Sequence, residues 1–305
     1  MKKILLATSI LAATGGFAAA EVTIGGSARF GLVYDSEAPA GTASTIISNR
    51  VQFDIKGTTT TDGGVELGAK LRFRYNDGNE RTTGNTAQFF ASYEGVNVQL
   101  GNVDTGFDAA PLLWDAEMGF ENTSFGDPEE IAFYYTSQDA FSANYMGVSV
   151  AYAVGGFSGM LSVADPDQRT DATPFTKTET SLHLAYASGP FAVAAAAYQN
   201  GAGINNNDGY FVGAAYTFDE VATVGLNYID EDLASVGTIT TLYGNYTMGL
   251  TTLRAYVADA GDSGFDTAYG LGADYDLGGG AVVKGSVQSG WAGETLADVG
   301  IQFKF

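Results

Sequence analysis

One rhythm constrains this chain more than any other feature. From residue 22 to residue 305, about ten residues alternate apolar and polar, a turn follows, and short turns take it in turn with long ones. Segment 64–75 shows the alternation most cleanly. Val65, Leu67, Ala69, Leu71, Phe73 and Tyr75 fall on one face, and Glu66, Lys70, Arg72 and Arg74 on the other. The spacing predicts about 16 strands, each near the ~9–11 residues that a tilted strand needs to cross a bilayer. Short turns fall at Glu94-Gly95, Gly155-Gly156, Gly189-Pro190 and Gly249-Leu250, and longer loops at 35–43, 76–84, 201–208 and 260–266. An up-and-down transmembrane β-barrel predicts that alternation of connections, whereas a Greek-key sandwich gives no reason for it.

A barrel in lipid has to close, because each unpaired backbone N–H or C=O there costs several kcal/mol. The first strand, 22–34, is therefore expected to pair antiparallel with the last, 296–305. In the last strand Val299, Ile301, Phe303 and the terminal Phe305 share one face, and Gly300, Gln302 and Lys304 the other. Sixteen strands enclose a lumen too wide for side chains to fill, which leaves an aqueous channel. The fold class expected is thus all-β: a 16-stranded antiparallel transmembrane β-barrel.

The N-terminus points to the same compartment. Lys2 and Lys3 precede the apolar run 4–11, and Ala18-Ala19-Ala20 has the small residues of a cleavage site. Residues 1–20 are expected to be a signal peptide cleaved near Ala20, leaving 21–305 as a single domain in the outer membrane. Loss of the two lysines takes the formal charge from −21 to −23, which argues against a nucleic-acid partner and favours cations. The chain has no cysteine, so the fold is held without disulfides. Mean hydropathy is only +0.02, as when an apolar outer face is averaged against a polar lumen.

The rhythm stops once, at 104–143. This stretch carries Asp104, Asp108, Asp115, Glu117, Glu121, Asp127, Glu129, Glu130 and Asp139, and no Lys or Arg. A connection of roughly 40 residues greatly exceeds the usual 4–6. Phe107, Leu113, Trp114, Met118, Phe120 and Phe133 give it apolar surface to bury, which argues against disorder. We expect this long third loop to fold into the barrel and constrict the pore. Arg29, Arg50, Lys56, Lys70, Arg72 and Arg74 all fall on the polar parity of the first three strands, where they make a basic wall. Asp104, Asp108, Asp115, Glu117, Glu121 and Asp127 hang opposite as the acidic side of the constriction. Two such walls set up a transverse field that passes small polar solutes and selects among ions. The competing reading is that the arginines only satisfy nearby acids such as Asp54 and Glu66. Lys284, Arg254 and Lys304 also read as lumenal, but scattered. In the second loop Asp77, Asn79 and Glu80, beside Asp108 or Asp104, offer the oxygen ligands that Ca2+ prefers, without EF-hand spacing.

The stretches EVTIGGSARFGLVYD (21–35), GTTTTDGGVELGAKLRF (57–73), YGLGADYDLGGGAVVK (269–284) and ADVGIQFKF (297–305) resemble the general porins of alphaproteobacteria, of the purple photosynthetic bacterial type. The resemblance spans 21–305 in order, with loops that match less closely. It implies a homotrimer of 16-stranded barrels in outer-membrane lipid and lipopolysaccharide, a third extracellular loop folded into each pore, passive passage of ions and small hydrophilic solutes, and calcium bound at acidic loops in many members.

Three other functions fit these residues less well. A substrate-specific channel for a sugar or an anion would show an aromatic ladder along the lumen, and only Phe90 suggests one. A barrel enzyme would need a partner for the sole histidine, His183, which has only Ser181 on its face. One His and no Cys leave no ordinary zinc site. An adhesin would carry long outer loops, and these are short.

Overall fold

The computed structural model describes residues 20–77, 83–84, 87–128, 133–134, 146–165 and 177–305. Sixteen antiparallel staves make up the barrel. They are β1 Glu21–Asp35, β2 Thr45–Thr60, β3 Glu66–Asn76, β4 Gln88–Tyr93 (its pairing with β3 continued by the short piece Thr83–Gly84), β5 Val96–Gly101, β6 Met146–Val154, β7 Phe157–Asp165 and β8 Glu179–Ser188. Then follow β9 Phe191–Gln199, β10 Gly209–Phe218, β11 Ala222–Glu231, β12 Ile239–Met248, β13 Thr251–Ala260, β14 Ala268–Gly278, β15 Ala281–Ser289 and β16 Thr295–Lys304. Each stave pairs with its sequence neighbours, and β16 pairs back onto β1 from Ser27↔Lys304 to Asp35↔Leu296. Phe305 completes the seam: its carbonyl accepts from Gly26 N at 2.8 Å and its N–H donates to Gly26 O at 3.1 Å.

The alternation sorts the faces. Val22, Ile24, Phe30 and Leu32 of β1 are exposed on the outside, as are Leu67, Leu71 and Phe73 of β3 and Val224 and Leu226 of β11. Every stave sets at least one large apolar side chain on the exposed outer face, a surface built for lipid rather than water. Tight turns follow the backbone chemistry of their residues. Glu94 and Gly95, at φ 46° and 84°, take the positive-φ pair that joins two strands without splaying them.

The inner face departs from the expectation of a polar lumen. Phe211, Ile229, Ile239, Tyr243 and Tyr256 occupy the inward parity of β10 to β13 and are buried. They pack with Phe107, Leu113, Met118 and Phe133 of the connection between β5 and β6. One side of the barrel interior is thus a hydrophobic core, and the side made by β1 to β3 is charged.

Candidate functional site

The basic residues of β1 to β3 are placed by cross-strand register. Arg29 lies opposite Arg50, Lys56 opposite Lys70, Asp54 opposite Arg72 and Gln52 opposite Arg74. All six cations fall on the inner parity, so the wall is contiguous. Part of its charge is spent within the wall. Arg72 Nε donates to Asp54 Oδ1 at 2.8 Å, and Lys56 Nζ lies 3.6 Å from Glu66 and 4.7 Å from the centre of the inward Phe90 ring. Like charges facing each other across a ladder are unfavourable, so the Arg29–Arg50 pair needs relief. It comes from the loop: Arg29 forms an ion pair with Glu121 and donates to its carbonyl at 2.6 Å and to that of Phe120 at 3.3 Å.

This contact shows how residues 104–128 sit. The segment crosses the interior from β8 to β1. At its start, His183 Nδ1 lies 2.8 Å from Gly106 O. The Gly106 and Phe107 N–H groups donate to Ser162 Oγ and Ser181 Oγ at 2.7 and 3.3 Å, and those two hydroxyls join at 2.8 Å. Glu179, buried on β8, accepts from Tyr134 N at 2.7 Å, and Thr105 Oγ1 donates to Tyr134 O at 2.7 Å, so both limbs of the segment meet the same stave. Asn227 donates to Leu112 O at 2.7 Å, Tyr243 to Asp115 at 3.3 Å, and Thr241 to Gly126 O at 2.9 Å. His183 and Ser181 therefore hold loop backbone and do not form a nucleophile–base pair with each other.

The tip is seated on glycines. Gly31 and Gly300 face each other across the β1–β16 seam. A Cβ on either would come within 2.8 Å (Gly31) or 2.7 Å (Gly300) of the Phe120 ring, which is fully buried. Gly119, at φ +71°, leaves no room for a Cβ beside the Asp298 carboxylate, and Asp298 in turn accepts from Glu121 N at 3.3 Å. Met118 lies over Gly270 and Gly272 in the same way. Asp298, Glu179 and these inward glycines carry the docking and were not singled out by reading the sequence. Glycine at an inward position of a strand was the available signal.

The acidic residues divide among different tasks. Glu121 sits against the basic wall. Asp104 accepts from Gln99 Nε2 at 3.3 Å. Asp108 supplies a backbone carbonyl to Trp114 Nε1 at 2.9 Å. Asp115 is exposed and Glu117 half-buried. Asp127 does not face the lumen as expected. It is buried, 8% exposed, because the Gly126 turn beside it is fastened to Thr241. Burial, reinforced by the Glu117 and Asp115 charges, pushes its carboxyl well above the usual range. Burial also pushes Glu117 up to about 7, with Lys284, Arg29 and Arg254 pulling down and Asp108 adding to the rise. Lys284 donates to Asn122, and Arg254 pairs with Asp274 at 2.8 Å. These residues are not scattered, since barrel closure brings β13 and β15 beside the loop tip.

Among the described residues, cavities lie beside the docked segment. One, of about 390 Å³, lies between Trp114, Asp115 and Glu117 on the loop and Thr217, Asn245 and Arg254 on the wall. A second, of about 500 Å³, is lined by Arg29, Arg50, Arg74, Asp274 and Lys304. They meet at Asn122 and Lys284, which line both. The calcium candidates are described only in part. Asn79 and Glu80 lie outside the described residues, and Asp77 Oδ1 accepts from Ser48 Oγ and Asn49 N, each at 3.2 Å. No group of three His, Cys, Asp or Glu able to hold a metal occurs among the described residues.

A closed antiparallel barrel with an apolar outer belt, a charged inner wall and a connection docked within it defines the transmembrane β-barrel class. Residues 7–290 match the family model described as Gram-negative porin, and the chain belongs to that family. A porin of Fuscovulum blasticum is 48% identical over 290 residues, covering 93% of this chain and 100% of the relative. A porin of Rhodobacter capsulatus is 27% identical over 345 residues with the same coverage. The structure of an engineered mutant of Rh. blastica porin superposes with a TM-score of 0.88 at 46% identity, covering 93% of this chain and 100% of that one. Membership implies an outer-membrane location, and the family and fold are those of a channel rather than an enzyme.

Proposed function

We propose that the chain is a general-diffusion porin through which ions and small hydrophilic solutes pass passively, with a weak preference for cations. The observation that carries the reading is the partitioned lumen. The loop covers the apolar inner wall and leaves open space lined by charged and polar side chains on the side of β1 to β3. On this reading residues 1–20 are removed as a signal peptide, segment 104–143 constricts the pore, and three copies assemble as the resemblance implies. No residue acts as a catalyst, and no step uses calcium.

Cation preference rests on the acidic charge of the whole chain and on Asp115 and Glu117 beside the path, opposed by the basic wall. The sign of its pH dependence follows from Glu117. Its carboxyl is charged above about 7 and neutral below, so cation preference should weaken as pH falls through that value. Reversal potentials in a KCl gradient, taken at about pH 8 and about pH 6 on planar bilayers, should shift toward chloride at the lower pH. The Glu117→Gln variant should start near the low-pH value and lose most of the shift. A wild-type potential that stays constant over this range would remove Glu117 from the selectivity account.

A further inference from the structure

We propose that the basic cavity is a binding site for small multivalent oxyanions, phosphate-bearing solutes foremost. The inference deepens the reading of the barrel as an open channel and rests on it. In a chain of net charge −21, this cavity gathers Arg29, Arg50, Arg74, Lys284 and Lys304 against the single carboxylate of Asp274. Four ion pairs occur among the described residues: Arg29–Glu121, Lys56–Glu66, Arg72–Asp54 and Arg254–Asp274. Glu121 therefore neutralises Arg29, and the one acid lining the cavity is taken by Arg254. Arg50, Lys284 and Lys304 face the space with no carboxylate in ion-pair range among the described residues.

Arg50 is the central group. Its Nε donates to Asn76 Oδ1 at 2.6 Å, which fixes the plane of the guanidinium. Its two terminal nitrogens make no hydrogen bond among the described residues, so the fork that suits a phosphate or carboxylate in two-point contact is free. Lys284 is oriented by Asn122, and Lys304 stands at the far side of the same cavity. One chloride would answer one of these charges, whereas a phosphate dianion answers two and accepts several hydrogen bonds. The volume of about 500 Å³ falls in the range of small-ligand pockets, enough for a phosphate with an attached sugar. The site is open on the side of the exposed Lys304, which leaves the solute a way out. A conducting site requires that property.

The test is single-channel recording in KCl at constant ionic strength, with inorganic phosphate and then adenosine monophosphate added to the aqueous phase. The inference predicts that open-channel current falls with concentration and saturates. In Arg50→Gln the half-blocking concentration should rise by about tenfold or more, the loss expected when a charge-assisted contact goes. Lys304→Gln, at an exposed position beside the C-terminus, should give a smaller rise and serves if the first variant does not assemble. A wild-type current that changes linearly with phosphate and never saturates overturns the site and leaves only a diffuse field. Saturating block that Arg50→Gln and Lys304→Gln both leave unchanged overturns the assignment to this cavity. Absence of any KCl conductance would end the channel reading and this inference together, whereas normal KCl steps without block would end this inference alone.

Discussion

A chain shortened to end at Glu294 is expected not to assemble in a membrane at all. The deletion removes β16, and with it the nine register pairs from Ser27↔Lys304 to Asp35↔Leu296 as well as the partner of β15 from Ala281↔Phe303 to Ser289↔Thr295. Two facing rows of N–H and C=O groups would then meet hydrocarbon, each unsatisfied group costing several kcal/mol. That total exceeds the whole net stability of an ordinary domain, about 5–15 kcal/mol. The two new edges cannot heal the gap in the old register, because β15 runs in the same direction as β1. The check is electrophoretic mobility of the refolded protein before and after heating. Full-length protein should show a compact band that converts on heating, and the shortened chain only the unfolded one. A compact, heat-convertible band from the shortened chain would show that the seam is dispensable.

The second large effect is local. Phe120→Ala should release the tip of the docked segment while leaving the barrel intact. Phe120 is completely buried, but between the loop and the Gly31–Gly300 floor rather than within the sheet. Truncating a buried Phe to Ala costs about 3–5 kcal/mol. Here that loss falls on the contact that orients the Glu121 carboxylate toward Arg29. Arg29 stays and keeps drawing Glu121 in, so the tip should visit both docked and undocked positions. Single-channel records should show flicker between the original conductance and a higher one, with unchanged heat stability of the barrel. Quiet steps at the original conductance would mean that the polar contacts of Glu121 and Asn122 hold the tip without the Phe120 ring.

Much of this was legible in the residues, and the division has a physical cause. Leu67, Leu71 and Phe73 declare the outer face of β3 because the period of a strand is local, readable within five residues. The same parity places Arg50, Arg72 and Arg74 inside, and the antiparallel order fixes their neighbours. Strand ends differ by a residue or two from the limits of the alternation, as where segment 64–75 folds as Glu66–Asn76. The landing of the loop was not legible. Glu121 meets Arg29 and Ser48 across 92 and 73 residues, and no local pattern encodes a contact of that range. The apolar inner wall was missed for a related reason. Phe211, Ile229 and Ile239 sit on the inward parity, and what covers them, Phe107, Leu113 and Met118, lies about 90 or more residues away in the chain. Lys284 and Arg254 looked isolated because β13 and β15 reach the loop tip only after the barrel has closed.

A diffusion channel requires an open, water-filled path beside the docked loop. Liposome swelling with sugars of graded size tests that path most directly, because neutral solutes ignore the charges and report only passage. An open path predicts swelling rates that fall smoothly with solute size to a cutoff, the same for isomers of equal mass. Swelling by one sugar alone, saturating with its concentration, or no swelling by protein shown to be folded, would contradict it.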